Sequence, residues 1–262
     1  MPSIDEPTLP DPASSATLVL VHGSNHGGWC WQRLTPLLEA AGHRVYTPTL
    51  TGLAERADEL TREVGLSTHV ADVAELIEAK DLEQVTLVGH SYAGAVVNGA
   101  AEVVADRIAQ IVYLDAFLPR DGESVLDTEP PESREAFLKI AREQGDGWRL
   151  PPQQGFLDRW GLTDPADRSW VWEQLTDMPL LASTEPLSAP TAAARRLPRT
   201  FIDLVAPKNA GTVTATTRAR EEGLEMLQIA TGHDAMVTEP ARLAELLEAI
   251  VAAKPHGAVG SD

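Results

Sequence analysis

The chain is short of several things, and each shortage closes off a class of function. It has one cysteine, Cys30, so no internal disulfide forms and a cysteine-based zinc site is ruled out. Basic residues are scarce, 21 against 39 acidic ones, and the net charge is -18. A surface of that sign repels phosphate backbones and anionic lipid, so neither nucleic acid nor a membrane is expected as a partner. No apolar run approaches the roughly 18 residues that span a bilayer. The first residues, 1–16, are rich in Pro, Ser and Asp and lack both a basic region and an apolar stretch. They read as a flexible tail and not as a signal peptide. What is there is ordinary for a folded domain: 43% hydrophobic and 23% charged residues in a chain of 262. The expectation is an acidic, cytoplasmic, globular protein.

From Thr17 onward, two kinds of segment alternate. Leu18 to Val21, Arg44 to Thr47, Val85 to Val88, Ile108 to Leu114, Thr200 to Ile202 and Leu224 to Ala230 are short runs that suit strands, the most apolar of them β-branched and buried. Between them, Trp31 to Ala41, Thr68 to Lys80, Tyr92 to Ala105, Ala215 to Glu222 and Pro240 to Val251 read as helices. This alternation predicts an α/β fold with a mostly parallel central sheet flanked by helices. It breaks after Pro119. Residues 120–198 are rich in Pro, Asp and Glu and hold four of the six tryptophans: Trp148, Trp160, Trp170 and Trp172. Too polar for a core of its own, this stretch is expected to be a helical cap insertion over the sheet. The domain then spans 17–253, with a second loose tail at 254–262.

Gly89-His90-Ser91-Tyr92-Ala93-Gly94 lies between a strong strand and a helix rich in small residues. A nucleophile elbow requires that setting, because a sharp strand-to-helix turn lifts the serine hydroxyl above the sheet. Gly89 and Ala93 supply the smallness needed two residues to either side. The helix N-terminus adds partial positive charge where an oxyanion would form. Of the seven histidines, His233 sits in a turn after the last expected strand, about 140 residues beyond Ser91, and is the candidate general base. His90 is expected to point away from Ser91 and pack beneath the elbow. His22 and His26 are expected to organise the first loop, and His43, His69 and His256 read as surface or capping residues. That first loop, His22 to Trp31, is rich in glycine and suits donation of an oxyanion N–H from Ser24, with the Tyr92 N–H as the second donor. It has neither G-x-G-x-x-G nor G-K-[ST], so it fails as a phosphate loop.

His22-Gly23 with Gly27-Gly28-Trp29-Cys30-Trp31, Gly89-His90-Ser91, Ala116-Phe117-Leu118-Pro119 and Gly232-His233 together resemble the α/β-hydrolase superfamily. Within it they are similar to the branch of plant methylesterases, hydroxynitrile lyases and small bacterial esterases. The similarity covers about Thr17 to Val251 and is weakest in the insertion. It implies a serine–histidine–acid triad, no cofactor, no metal, and a pocket roofed by the insertion. The family usually carries its acid in the loop after the strand that here begins at Thr200. That loop, Ala206-Pro207-Lys208-Asn209-Ala210, has no carboxylate. Asp115, at the end of the preceding strand, is the expected acid, with Asp203 as the fallback; the Asp234 side chain should diverge from its neighbour His233.

The expected function is hydrolysis of a carboxylic ester with an apolar, aryl, alkyl or methyl group, or of a lactone, through an acyl-enzyme. A hydroxynitrile lyase would want a threonine and a lysine near positions that here hold Gly23 and Asp234-Ala235-Met236. A silent small-ligand binder on the same fold would not need Ser91 and His233. The expected partner is a small-molecule ester, and a homodimer stays open.

Overall fold

In the computed structural model, residues 15–187 and 196–253 are described. The expected tails therefore fall outside the described residues except for Ser15 and Ala16, as do His256 and residues 188–195 of the expected insertion. Six strands form the main sheet: β1 (Thr17–Val21), β2 (Arg44–Tyr46), β3 (Val85–His90), β4 (Ile108–Leu114), β7 (Arg199–Leu204) and β8 (Glu225–Ile229). Their order is β2-β1-β3-β4-β7-β8, and every neighbouring pair is parallel. β3 is buried at each position, as a central strand covered on both faces must be. β2 and β8, at the two edges, are half-buried.

The helices α1 (Thr35–Ala40), α2 (Leu66–Ala79) and α3 (Ala93–Val103) follow the first strands. The periodicity from Trp31 suggests an earlier start for α1, but Pro36 lies in its first turn. A proline ring clashes with the carbonyl four residues back, so the helix begins at Thr35 and a 3-10 turn, Gly28–Trp31, precedes it. The small residues of α3 allow close approach to α2: a Cβ on Gly99 would lie 2.3 Å from Val70 Cγ2. After β7 come α8 (Val213–Glu221), then β8, the short α9 (Ala235–Thr238) and α10 (Pro240–Ala252).

Between β4 and β7 the described chain is mainly helical: α4 (Pro131–Gln144), α5 (Gln154–Arg159), α6 (Pro165–Trp172) and α7 (Leu180–Thr184). A two-residue antiparallel pair, β5 (Arg149–Leu150) with β6 (Met178–Pro179), ties this region together. Strands so short have no periodicity to read. No helix among the described residues is long and apolar enough to cross a membrane.

Two histidines depart from their expected surface or capping roles. His69 is fully buried on α2, where it shares a face with Leu66 and Val73 at helical spacing. It lies between the Thr51 carbonyl and the Tyr92 hydroxyl, 2.9 Å from each. His43 is also buried, and its Nδ1 accepts the Ala16 N–H at 3.2 Å.

Candidate active site

Ser91 joins β3 to α3 with φ of 55°. A non-glycine residue in this left-handed region is strained and needs its surroundings to hold it. The Ser91 N–H donates to the Leu114 carbonyl at 3.2 Å, and its own carbonyl accepts from Gly94 at 3.1 Å and Phe117 at 2.9 Å. A Cβ on Gly89 would lie 2.7 Å from the Ala93 carbonyl oxygen, and one on Gly94 would lie 2.1 Å from that of Phe117. The turn therefore depends on Gly94 as well as on Gly89 and Ala93.

His233 follows β8, and its Nε2 is 2.8 Å from Ser91 Oγ. Its Nδ1 is 2.7 Å from Asp115 Oδ2, at the end of β4. Asp115 is fully buried. Its other oxygen accepts from Thr212 Oγ1 at 2.8 Å and pairs with the Lys208 ammonium. Burial alone would raise the Asp115 carboxyl pKa, but the hydrogen bond and charge of His233, with Lys208 behind them, hold it below the ordinary carboxylate range. Ser91, His233 and Asp115 are thus brought together. Asp203 is not among them: its carboxylate accepts from Lys208 at 2.6 Å and from Thr216 at 3.2 Å. Lys208 bridges the two aspartates, a role its sequence position did not reveal.

Ser24 and Ser91 line one cleft, while Tyr92 caps the N-terminus of α3. The backbone N–H groups of Ser24 and Tyr92 have no acceptor among the described residues. Asn25, next to Ser24, adopts φ of 61°. Its amide donates to the Leu150 carbonyl at 2.9 Å and the Thr176 carbonyl at 2.8 Å, tying the first loop to the β5–β6 region. An asparagine among glycines is the one sequence sign of this left-handed turn.

The cleft beside Ser91 opens partly to solvent. Phe117, Phe137, Phe156 and Trp160 give it an aromatic lining, and of the four tryptophans singled out, Trp160 alone lines it. Arg159 and Glu129 supply a polar patch, joined by two contacts of 2.8 and 2.6 Å. Neither residue stands out in the sequence. The Trp160 carbonyl also accepts the His233 N–H at 2.7 Å, so the inserted region touches the backbone of His233 itself. Among the described residues, no group of three or more His, Cys, Asp and Glu side chains is arranged to hold a metal ion.

His22 and His90 support the site as neutral rings. His22 Nδ1–H donates to the Gly23 carbonyl at 2.9 Å, and its Nε2 accepts the Leu50 N–H at 3.1 Å. His90 packs against the His233 ring, with centroids 4.6 Å apart, and its Nε2–H donates to the His233 carbonyl at 2.9 Å. Burial pushes both down to about 3. In the unfolded chain each takes a proton near pH 6.5, while the folded protein resists until about pH 3. Between those limits the unfolded state binds more protons, so stability is lost as pH falls from about 6.5. Thermal melting at a series of pH values is expected to show this slope, and His22→Gln to flatten it. An unchanged slope in that variant would remove His22 from the account.

The profile of the alpha/beta hydrolase family matches residues 18–246. The chain is 37% identical over 246 residues to a carbendazim hydrolyzing esterase from Nocardioides sp. (strain SG-4G), covering 90% of this chain and 99% of that one. It is 41% identical over 106 residues to methylesterase 1 from Arabidopsis thaliana, a match to 38% of this chain and 39% of the plant protein. A solved extracellular alpha/beta-hydrolase from a Paenibacillus species superimposes with a TM-score of 0.77 at 26% identity, covering 88% of this chain and 97% of that structure. The chain belongs to the alpha/beta hydrolase family.

Proposed function

We propose that the protein hydrolyses carboxylic esters with Ser91 as nucleophile, His233 as general base and acid, and Asp115 as the group that orients His233. The observation that carries this reading is the unbroken chain from Ser91 Oγ through His233 to Asp115, at 2.8 and 2.7 Å. The serine hydroxyl attacks the ester carbonyl as His233 Nε2 takes its proton. Negative charge then develops on the carbonyl oxygen, where the N–H groups of Ser24 and Tyr92 receive it. His233 returns the proton to the leaving alcohol, and water, activated by the same ring, releases the acid. The names of the relatives, an esterase and a methylesterase, support the same chemistry. The stretch Asp234-Ala235-Met236, near which a lyase would want a lysine, holds none, which favours hydrolysis.

The substrate fitting this cleft carries an aromatic or apolar group to meet Phe117, Phe137, Phe156 and Trp160, and a polar substituent to meet Arg159 and Glu129. The described residues of the 120–198 insertion serve as its cap, in a single domain spanning about 17–253. A cytoplasmic location and a homodimer belong to the same reading. Labelling with a fluorophosphonate, followed by turnover of a panel of nitrophenyl and methyl esters, tests the proposal. Failure to label would overturn it. Trp160→Ala is expected to change the ranking of esters in that panel. Because Trp160 is also core, the change should lower stability by about 3–5 kcal/mol.

A further inference from the structure

The mechanism leaves one buried carboxylate without a task. Asp234 is fully buried, and neither of its oxygens makes a hydrogen bond among the described residues. The ring nitrogens nearest to it are His26 Nε2, 3.5 Å from Oδ2, and His90 Nε2, 3.8 Å from Oδ1. A carboxylate in so dry a place needs a cation or a donor beside it. His90 is spoken for, since its Nε2–H already goes to the His233 carbonyl.

His26 is placed to serve. Its Nδ1 is 2.7 Å from the Ser24 carbonyl oxygen, which only accepts, so Nδ1 carries a proton. Its Nε2 faces the Asp234 carboxylate at 3.5 Å, a group that can only accept. Trp29 stacks on the ring at a centroid distance of 5.1 Å, and Trp160 flanks it at 4.9 Å. Indole faces attract cations. Carbonyl, carboxylate and indoles are thus each complementary to an imidazolium.

The neighbours give this arrangement a purpose. The Gly23 carbonyl belongs to the same peptide unit as the Ser24 N–H, and His22 holds it at 2.9 Å. His26 holds the next peptide through the Ser24 carbonyl. Ser24 is therefore pinned on both sides by histidines, and Asp234 stands between the ring that pins Ser24 and the ring that pins the His233 carbonyl. We propose that Asp234 and His26 form a charged positioning pair that fixes the Ser24 N–H of the oxyanion hole relative to His233. The pair touches no substrate and acts through Ser24.

This inference rests on the ester-hydrolase reading. Asp234→Asn keeps the shape and removes the charge. It is expected to lower kcat about ten-fold or more, short of the roughly 10²–10³ that follows loss of a whole oxyanion donor. KM should change little, because the Ser24 N–H meets full negative charge only in the transition state. Affinity for an aryl trifluoromethyl ketone, which forms an oxyanion adduct, should fall by the same factor as kcat/KM. A folded variant that melts lower but keeps both kcat and ketone affinity would overturn the pair, leaving Asp234 a purely structural group. Nitrogen-15 spectra of the unaltered protein provide a readout free of folding and activity: in the folded enzyme both His26 ring nitrogens should carry protons. A neutral His26 ring there overturns the pair even in an active enzyme. Absence of ester turnover in the unaltered protein would instead overturn the hydrolase reading.

Discussion

Ser91→Ala is expected to reduce ester turnover by about 10⁴-fold or more while leaving thermal stability near that of the unaltered protein. The only hydrogen bond of Ser91 Oγ among the described residues is the one to His233 Nε2, so its loss removes the nucleophile and little else. The strained backbone at φ 55° is shared by alanine and serine, and the bonds that hold it run through the Ser91 main chain, which the substitution keeps. Turnover at an undiminished rate, measured on the purified and folded variant, would take the nucleophile's role away from Ser91.

Asp115→Asn is expected to cost about 10⁴-fold in kcat, through the tautomer of His233. Thr212 and Lys208 both donate to Asp115 Oδ1, so an asparagine here keeps its oxygen toward them. Its NH₂ then faces His233 Nδ1 and donates to it. The ring proton moves to Nε2, and His233 can no longer accept the proton of Ser91. Asp203→Asn leaves every contact of His233 in place and is expected to cost little. Steady-state kinetics of the two variants decide the matter. The reverse pattern would transfer the role to Asp203.

Much of the scaffold is legible in the sequence because its signals are local. Val85 to Val88 and Ile111 to Leu114 are apolar runs that admit only a buried strand, and the small residues around Ser91 admit only a tight turn. Even the carboxylate beside His233 is readable, because Ala206 to Ala210 has no carboxylate and Asp115 is the nearest at a strand end. The remaining features depend on side chains far apart in the chain. Lys208 meets Asp115 across 93 residues, and Asn25 meets the Leu150 carbonyl across 125. No periodicity encodes those meetings. Arg159 with Glu129 looks like any surface pair until folding places it beside the cleft. His69 is a lesson of another kind: its buried face was readable from Leu66 and Val73, but its polarity suggested the surface.

The position of Asp115 also bears on how this protein can be altered. β3 and β4 pair in register to their ends, His90 opposite Leu114, and Ser91 and Asp115 are the very next residue on each strand. Adjacent strands lie about 4.8 Å apart, a spacing set by the hydrogen-bond ladder and not by any loop. The distance between Ser91 and Asp115 is thus inherited from the most rigid part of the molecule. The loop after β7 contributes no carboxylate, yet Asn209 within it still borders the cleft. A graft in that loop that retains Lys208 could recontour the rim, and with it the choice of ester, without disturbing the register of the reacting groups.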